Sequence, residues 1–513
     1  MTEKDISMRL IKKNTPLFET KVKNRNARSQ WKDLTSLCVA GSLLVLSACD
    51  TVGTKQIGEV DSVDGPLGGV ASDEPRATLI AQDILSSGGT AADAATALYF
   101  TLAVTYPIAA SLGGGGECIT YSRDTNKLEN IKFPVGLAKN GGEIGIPGNI
   151  RGFSALHARH GRMEWSSVLA PAEKFANFGE SMSRAQHAAM LSASSKTRFG
   201  EGLTNLYKNE DGTFKPEGTK IEQVRLSSVL SSLRTNGGAF FYSGNLAKSF
   251  IDDANSAGGK LTTTDLVYYK PVWEDASTFT ADAITIGTSS GPQGALYQEI
   301  WEKMFAGKGV LNLDQEITLT KLAEASASSF QKYANYNPFG AGGMTSFVTS
   351  DNEGNAVSCI VGLGKPFGSG KIGGITGVVL AAALTNKESE FPTTPVLMVN
   401  KPNKNFFYGA AATGGAAGTL SSVYTALKIF AEGKSLETAI NSPRVFTMGQ
   451  GLPLLYEQKV DQASLGEMTR QHPVAIEVER LGAVNSIYCF DGKLFNCQSR
   501  ADPRGYGLSL IQR

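Results

Sequence analysis

The stretch that most constrains how this chain can fold runs from Gly340 to Val361. A glycine-rich run, Gly340-Ala341-Gly342-Gly343, ends abruptly at Met344-Thr345-Ser346-Phe347-Val348-Thr349-Ser350-Asp351, a β-prone segment. Asn352-Glu353-Gly354-Asn355 turns the chain, and Ala356-Val357-Ser358-Cys359-Ile360-Val361 returns as a second strand. Two such runs around a Gly-containing turn predict a β-hairpin. Its first strand carries a hydroxyl, Thr345, immediately after a flexible segment. A threonine hydroxyl is a poor nucleophile alone. It becomes a good one when the peptide bond before it is cut and the freed α-amino group serves as its base.

Charge is balanced, with 49 Lys and Arg against 48 Asp and Glu, so nucleic acid is not expected as a partner. The 57 glycines suit close helix–sheet packing and glycine-lined pockets. The four histidines are His157, His160, His187 and His472. His157 and His160 share a predicted helix, but no Cys or acidic cluster joins them at ligand spacing. No metal site is expected, and both read as solvated helix residues.

The amino-terminal region has the shape of an export signal. Residues 1–33 are basic, Leu34 to Ala48 is apolar, and Leu46-Ser47-Ala48-Cys49 closes it. The apolar run is short for a membrane-spanning helix. Leu-Ser-Ala-Cys resembles the bacterial lipobox, which implies lipidation of Cys49 and a location on the periplasmic face of a membrane; soluble periplasm is the alternative. Residues 49–70 read as a tether, 71–344 as the first part of the folded body and 345–513 as the second. Among the remaining cysteines, Cys489 and Cys497 flank a turn at Asp491-Gly492. A two-residue hairpin there would not set them opposite each other, and no obligatory disulfide is expected.

Along the body, Ala77, Ile80, Ala81, Ile84 and Leu85 repeat at helical spacing and Gly88-Gly89 ends the helix. Ala91 to Val104 is a second, alanine-rich helix. Gly113-Gly114-Gly115-Gly116 allows close backbone approach or positive φ, and lacks the Lys-Ser/Thr of a phosphate cradle. Residues 119–121 and 128–133 read as paired strands, and 164–255 as mostly helical. Val378 to Leu380 reads as a strand. Thr413-Gly414-Gly415 opens a helix whose amino end could hold an anion or oxyanion. Strands around Thr345 are expected to pair with strands near the carboxyl end, in a layered α/β body.

Several blocks in order resemble the γ-glutamyltranspeptidase family of N-terminal-nucleophile hydrolases. They are Asp83 to Ala95, Leu112 to Gly116, Gly145-Ile146-Pro147-Gly148, Gly259 to Thr262 through Tyr269-Lys270, Asp351 to Val357, Phe367 to Gly370, Thr413 to Gly415, Ser442-Pro443-Arg444 and Ala501-Asp502-Pro503-Arg504. The resemblance implies a four-layer αββα fold, in α/β (α+β layered) class. It implies a proenzyme that cuts itself into large and small fragments that stay together, with cleavage at Met344-Thr345. Thr345 would be the nucleophile, and Gly414 and Gly415 would supply the oxyanion hole. Thr393, Thr394 and Asn386 would contact a small γ-glutamyl or related amide substrate, of glutathione type. No cofactor is implied.

The chain departs from the family pattern at the chemistry. Aligned without gaps from Gly354-Asn355-Ala356-Val357, the nucleophile position falls on Met344, and Thr345 fits only if the strand or turn is one residue shorter. The assisting Thr falls on Gly362 and a substrate-contacting Asn on Gly364. The Arg that pairs with a donor carboxylate falls near Pro134, the amine-holding Asp on Asn386, and a nearby Gln on Ala383. Arg151 and Lys365 are candidate replacements for the lost charge. The alternatives to a self-processing hydrolase or transferase are an acylase for a non-glutamyl donor, and a catalytically impaired, uncleaved homologue that binds its ligand as an envelope lipoprotein.

Overall fold

The computed structural model describes residues 67–193, 197, 199–305, 316–333, 342–384 and 393–512. Cys49, the leader and Asn386 lie outside the described residues. Among the described residues, no helix is long and apolar enough to cross a membrane.

In chain order the strands are β1 (Gly68–Ser72), β2 (Gly115–Ser122), β3 (Lys127–Phe133), β4 (Glu180–Ser181), β5 (Lys220–Ile221), β6 (Val272–Asp275), β7 (Ser277–Ala281), β8 (Ile284–Thr288) and β9 (Met344–Asp351). Then come β10 (Ala356–Gly362), β11 (Val396–Asn400), β12 (Asn405–Thr413), β13 (Val445–Phe446), β14 (Leu454–Glu457), β15 (Ala475–Val478), β16 (Ala483–Cys489), β17 (Cys497–Arg500) and β18 (Leu508–Gln512). Two large sheets dominate, ordered β18-β1-β9-β10-β2-β3-β6 and β17-β16-β12-β11-β8-β7.

Four layers follow from where apolar side chains go. The first helices are α1 (Pro75–Ser86), α2 (Ala91–Thr105), α3 (Asn149–His160) and α4 (Trp165–Phe178). They cover the outer face of the first sheet, sharing a core with Phe133, Phe347 and Val361. Between the sheets lies a second core of Ile119, Val348, Ile360, Leu397, Val399 and Ile487. Outside the second sheet, helices Pro292–Phe305, Leu319–Phe330 and Gly415–Phe430 pack against Ile286, Met398 and Tyr408. This is the αββα sandwich that the family resemblance implied. Each strand alternates its side chains between a helix layer and the inter-sheet layer.

Local chemistry explains the helix starts. The Glu74 carboxylate accepts the Ala77 N–H at 2.8 Å, with Pro75 at the first helical position. Thr90 and Asp93 form a reciprocal capping box at α2. The alanines of α2 let it run buried along its length, with Tyr99 stacked on Phe153 of α3 at 4.0 Å.

Four expectations change. The tether reading of 68–70 gives way to β1, which fills the slot between β9 and β18. Its glycines mimic a linker because a side chain would not fit: a Cβ on Gly68 would lie 2.1 Å from the Ser350 carbonyl oxygen. For the same reason β9 does not pair with a carboxyl-terminal strand; β1 stands between it and β18. Val378 to Leu380 makes only an isolated bridge, Ile372 to Val379, instead of a ladder. Both cysteine pairs are joined, Cys118–Cys359 and Cys489–Cys497. Each is a directly opposed cross-strand pair. Short helical turns at Phe490–Gly492 and Leu494–Asn496 widen the connection, so the two-residue hairpin geometry does not apply.

Candidate active-site cleft

The hairpin decides what faces what. β9 and β10 pair without a register shift, Met344 opposite Gly362, Thr345 opposite Val361 and Ser346 opposite Ile360. The register continues into β2, with Gly362 opposite Gly115, Val361 opposite Gly116 and Ile360 opposite Glu117. β3 adds Phe133 opposite Gly116 and Lys132 opposite Glu117. Because side chains alternate, Thr345 shares its face with Val361 and Phe133, which belong to the helix-side core. Met344 lies on the other face and packs against the inter-sheet core.

The opposite wall confirms the direction. A Cβ on Gly409 would lie 2.9 Å from Val348 Cγ1, and the Ser346 hydroxyl donates to the Ala411 carbonyl at 3.2 Å. Toward their ends β9 runs from Ser346 back to Met344 as β12 runs from Ala411 on to Thr413, the residue before Gly414 and Gly415. On its inter-sheet face the first sheet presents Met344, Gly362 and Gly115 in a row, with Pro134 following β3. None of these side chains offers a nucleophile, a base or a charge.

Thr345 is fully buried. Its hydroxyl donates to Asp73 Oδ2 at 2.9 Å, and the same oxygen accepts the Ser346 N–H at 3.0 Å. The Asn485 amide donates to Asp73 Oδ1 at 2.7 Å and to the Ser346 carbonyl at 3.0 Å. Burial outweighs these donors and pushes the Asp73 carboxyl above its ordinary range. Asp73 and Asn485 lie far from Thr345 in sequence; only the β1–β9 pairing and the sandwich bring them to it.

Gly414 and Gly415 open the helix Gly415–Phe430 with φ of 105° and 63°. A Cβ on Gly414 would lie 2.8 Å from Gly482 Cα. The Leu481-Gly482 corner is itself held by a buried ion-pair network that unites two of the sequence blocks. In it, Arg444 donates to the carbonyls of Leu481 and Gly482 at 3.0 and 3.3 Å and pairs with Asp502 at 2.7 Å. Arg504 bridges Asp502 and Glu457. The paired arginines hold the Asp502 carboxyl below its ordinary range despite burial.

Thr393 and Thr394 are both buried on the second wall. Thr394 Oγ1 accepts the Ser289 N–H at 2.9 Å, while Thr393 Oγ1 has no partner. Arg151 is turned away among the helices, its guanidinium 4.2 Å over the Tyr242 ring and bonded to the Val267 and Tyr269 carbonyls. Lys365 is exposed after β10. The four-glycine run meets strands of its own body, with a Cβ on Gly114 only 2.5 Å from the Gly362 carbonyl. His157 is not simply solvated: it pairs with Asp93 at 3.2 Å, and His160 lies 3.5 Å from Glu129. Among the described residues no group of three or more His, Cys, Asp or Glu could hold a metal.

Known proteins share this architecture. The family model Gamma-glutamyltranspeptidase matches residues 77–332 and 292–511. The glutathione hydrolase proenzyme of Bacillus subtilis (strain 168) is 26% identical over 532 residues, covering 84% of this chain and 90% of that protein. Scoloptoxin SSD14 of Scolopendra dehaani is 24% identical over 465 residues, covering 73% of this chain and 80% of that one. Among solved structures, cephalosporin acylase from Bacillus halodurans superposes with a TM-score of 0.73 at 19% identity, over 90% of this chain and 99% of that chain. That likeness carries the fold.

Proposed function

This chain belongs to the gamma-glutamyltranspeptidase family, a family of γ-glutamyl hydrolases and transferases, and we propose that it is an uncleaved member that binds a small γ-glutamyl or related amide ligand between its sheets without forming an acyl-enzyme. One observation carries the reading: the unshifted β9–β10 register turns Met344 toward the cleft and Thr345 toward the helices. An acyl transfer needs a nucleophile within reach of the oxyanion donors. A thioether at that place has neither a proton to lose nor a charge to offer. The glycine turn at Gly414-Gly415 and the hydroxyl-lined wall at Thr393-Thr394 remain, and they suit holding an amide carbonyl as well as activating one. In this reading the chain is exported and tethered to a membrane through lipid on Cys49.

Intact-mass measurement and a denaturing gel of the purified mature protein test this. One chain extending through Met344-Thr345, with a blocked end at Cys49, is expected. A fragment beginning at Thr345 overturns it.

A second reading is the self-processing hydrolase or transferase, with Thr345 as nucleophile, Gly414 and Gly415 as oxyanion hole, and Thr393, Thr394 and Asn386 on the substrate. Its support is the Thr345–Asp73 hydrogen bond at 2.9 Å, which sets a carboxyl acceptor on the hydroxyl. Glutathione-type or glutaryl donors are its substrates. Release of product from such a donor, abolished in Thr345→Ala, is its signature.

A further inference from the structure

The connection between β16 and β17 is firmly held yet shows apolar rings to solvent. Cys489 and Cys497, both buried, are bonded across its base. Gly492 is buried at its middle, where a Cβ would lie 2.7 Å from Asn405 Cβ, so the connection is seated on the start of β12. Asn496 Nδ2 donates to Asp491 Oδ1 at 3.3 Å. Phe490 and Phe495 nevertheless stand 62% and 58% exposed. Lys493 lies between them in sequence, its Nζ 5.9 Å over the Phe495 ring. Two large rings held in water on one stapled connection mark a contact surface.

Two further turns extend this surface. Lys404 Nζ donates to the Asp124 carbonyl at 3.3 Å, and Asn126 Nδ2 donates to the Lys401 carbonyl at 2.9 Å, so the β2–β3 and β11–β12 turns join. Across the three connections Arg123, Lys127, Lys401, Lys404 and Lys493 outnumber Asp124 and Asp491. Glu353 in the β9–β10 turn is paired with Arg162, and Asp282 in the β7–β8 turn leaves the balance positive.

The place where the chain enters the body selects the partner. β1 starts at Gly68, opposite Asp351 and Gln512. A Cβ on Gly69 would lie 3.4 Å from Ile487 Cδ1, two residues before Cys489. The body therefore begins at the end of the sandwich that carries these turns, whereas Gly414 follows the opposite end of β12. Seventeen residues separate Cys49 from Leu67, a reach of at most about 60 Å. Lipid on Cys49 keeps a bilayer within that reach and makes docking intramolecular, so a weak contact suffices. Apolar rings enter the headgroup boundary, and cations around them face anionic headgroups.

We propose that the β16–β17 connection docks on an anionic phospholipid surface through Phe490 and Phe495, so that the body stands on the bilayer with the Gly414 turn directed away from it. This rests on the reading that Cys49 carries lipid.

Bromolipid quenching of the mature full-length protein, in vesicles of phosphatidylethanolamine and phosphatidylglycerol, tests the proposal. Phe495→Trp places a reporter on the connection. Tyr506→Trp places one at the other end, because Tyr506 is exposed and Leu508 just beyond it pairs with Ser72. Wild-type emission is subtracted from each, and melting curves verify folding. Phe495→Trp is expected to lose emission when the acyl chains are brominated, and Tyr506→Trp to keep it. No loss at position 495, or equal loss at both positions, would overturn the proposal. So would a dimer in detergent, seen by sedimentation equilibrium, that Phe490→Ser with Phe495→Ser converts to monomer, since the rings then serve a second copy. Failure of the lipid reading shows separately, as a mature chain with no lipid mass. The wild type is then still expected to pellet with sucrose-loaded vesicles of the same composition, and the double Ser variant to stay in the supernatant. Wild type left in the supernatant refutes the docking on its own.

Discussion

Replacing Thr345 by Val removes one hydroxyl and little else, and so weighs the two readings of that residue directly. In the structure the hydroxyl makes one hydrogen bond, to Asp73 at 2.9 Å, and the residue is fully buried. A hydrogen bond to a charged group contributes about 1.5–3 kcal/mol. The new methyl, equally buried, returns about 0.8 kcal/mol. Asp73 keeps the Ser346 N–H and the Asn485 amide, so it is not orphaned. The net loss is about 1–2 kcal/mol. With a urea m-value of about 3 kcal/mol/M, the unfolding midpoint falls by about 0.5 M. Urea unfolding followed by circular dichroism, with a denaturing gel of the same samples, reads both quantities. One full-length band in wild type and variant, with the midpoint lowered by that amount, is the expected outcome. Two fragments in the wild type against one band in Thr345→Val would refute the structural role assigned to this hydroxyl.

Further outcomes follow from the same contacts. Glu117 is raised by burial, so its ionised form opposes folding. The unfolded chain loses this proton first as pH rises, and Glu117→Gln is expected to be more stable than wild type above the ordinary Glu pKa, the advantage growing to a plateau above the folded pKa and vanishing in acid; melting curves from about pH 3 to about pH 8 check the sign. The Cys118–Cys359 bridge spans 241 residues and Cys489–Cys497 spans 8. Loop-closure entropy assigns them about 5 and about 2.5 kcal/mol, so the double Ser variant of the first pair should lose about twice as much stability in chemical denaturation as that of the second. Arg444→Met breaks a buried pair and frees two carbonyls, and should cost about 3–5 kcal/mol, with weakened ligand binding because the Gly482 corner no longer fixes Gly414.

Local signals made much of the scaffold readable. The repeat at Ala77, Ile80, Ala81, Ile84 and Leu85 marked α1 because one helical face is buried, and the alanines of α2 marked a helix buried all round. Residues 119–121 and 128–133 were legible as β2 and β3, and the Gly354 turn as the β9–β10 hairpin, since each pairs with its neighbour in sequence. What local reading missed was long-range. β1 resembled a linker because the slot between two strands admits only small residues. The cysteine pairings depended on register between β2 and β10 and on the turns between β16 and β17. Asp73 and Asn485 gave no local sign of their roles, because strands far apart in the chain assemble their surroundings. The side-chain alternation that turns Thr345 from the cleft was implicit in the Gly354–Ala356 alignment, which pointed to Met344; the register of β9 against β10 makes it physical.

The first sheet interlaces the two halves of the chain. β18, β9 and β10 come from the carboxyl-terminal portion, and β1 slips between β18 and β9 while β2, β3 and β6 complete the other side. Neither portion can assemble this sheet without the other, because each supplies hydrogen-bond partners missing from its counterpart. Folding must bring the two ends of the polypeptide together early, through contacts of large sequence separation, which slows it. A nick at the glycine run before Met344, made by any protease after folding, would leave the pieces clasped. The same halves expressed separately should regain solubility only when mixed during synthesis, as in a split-protein complementation pair.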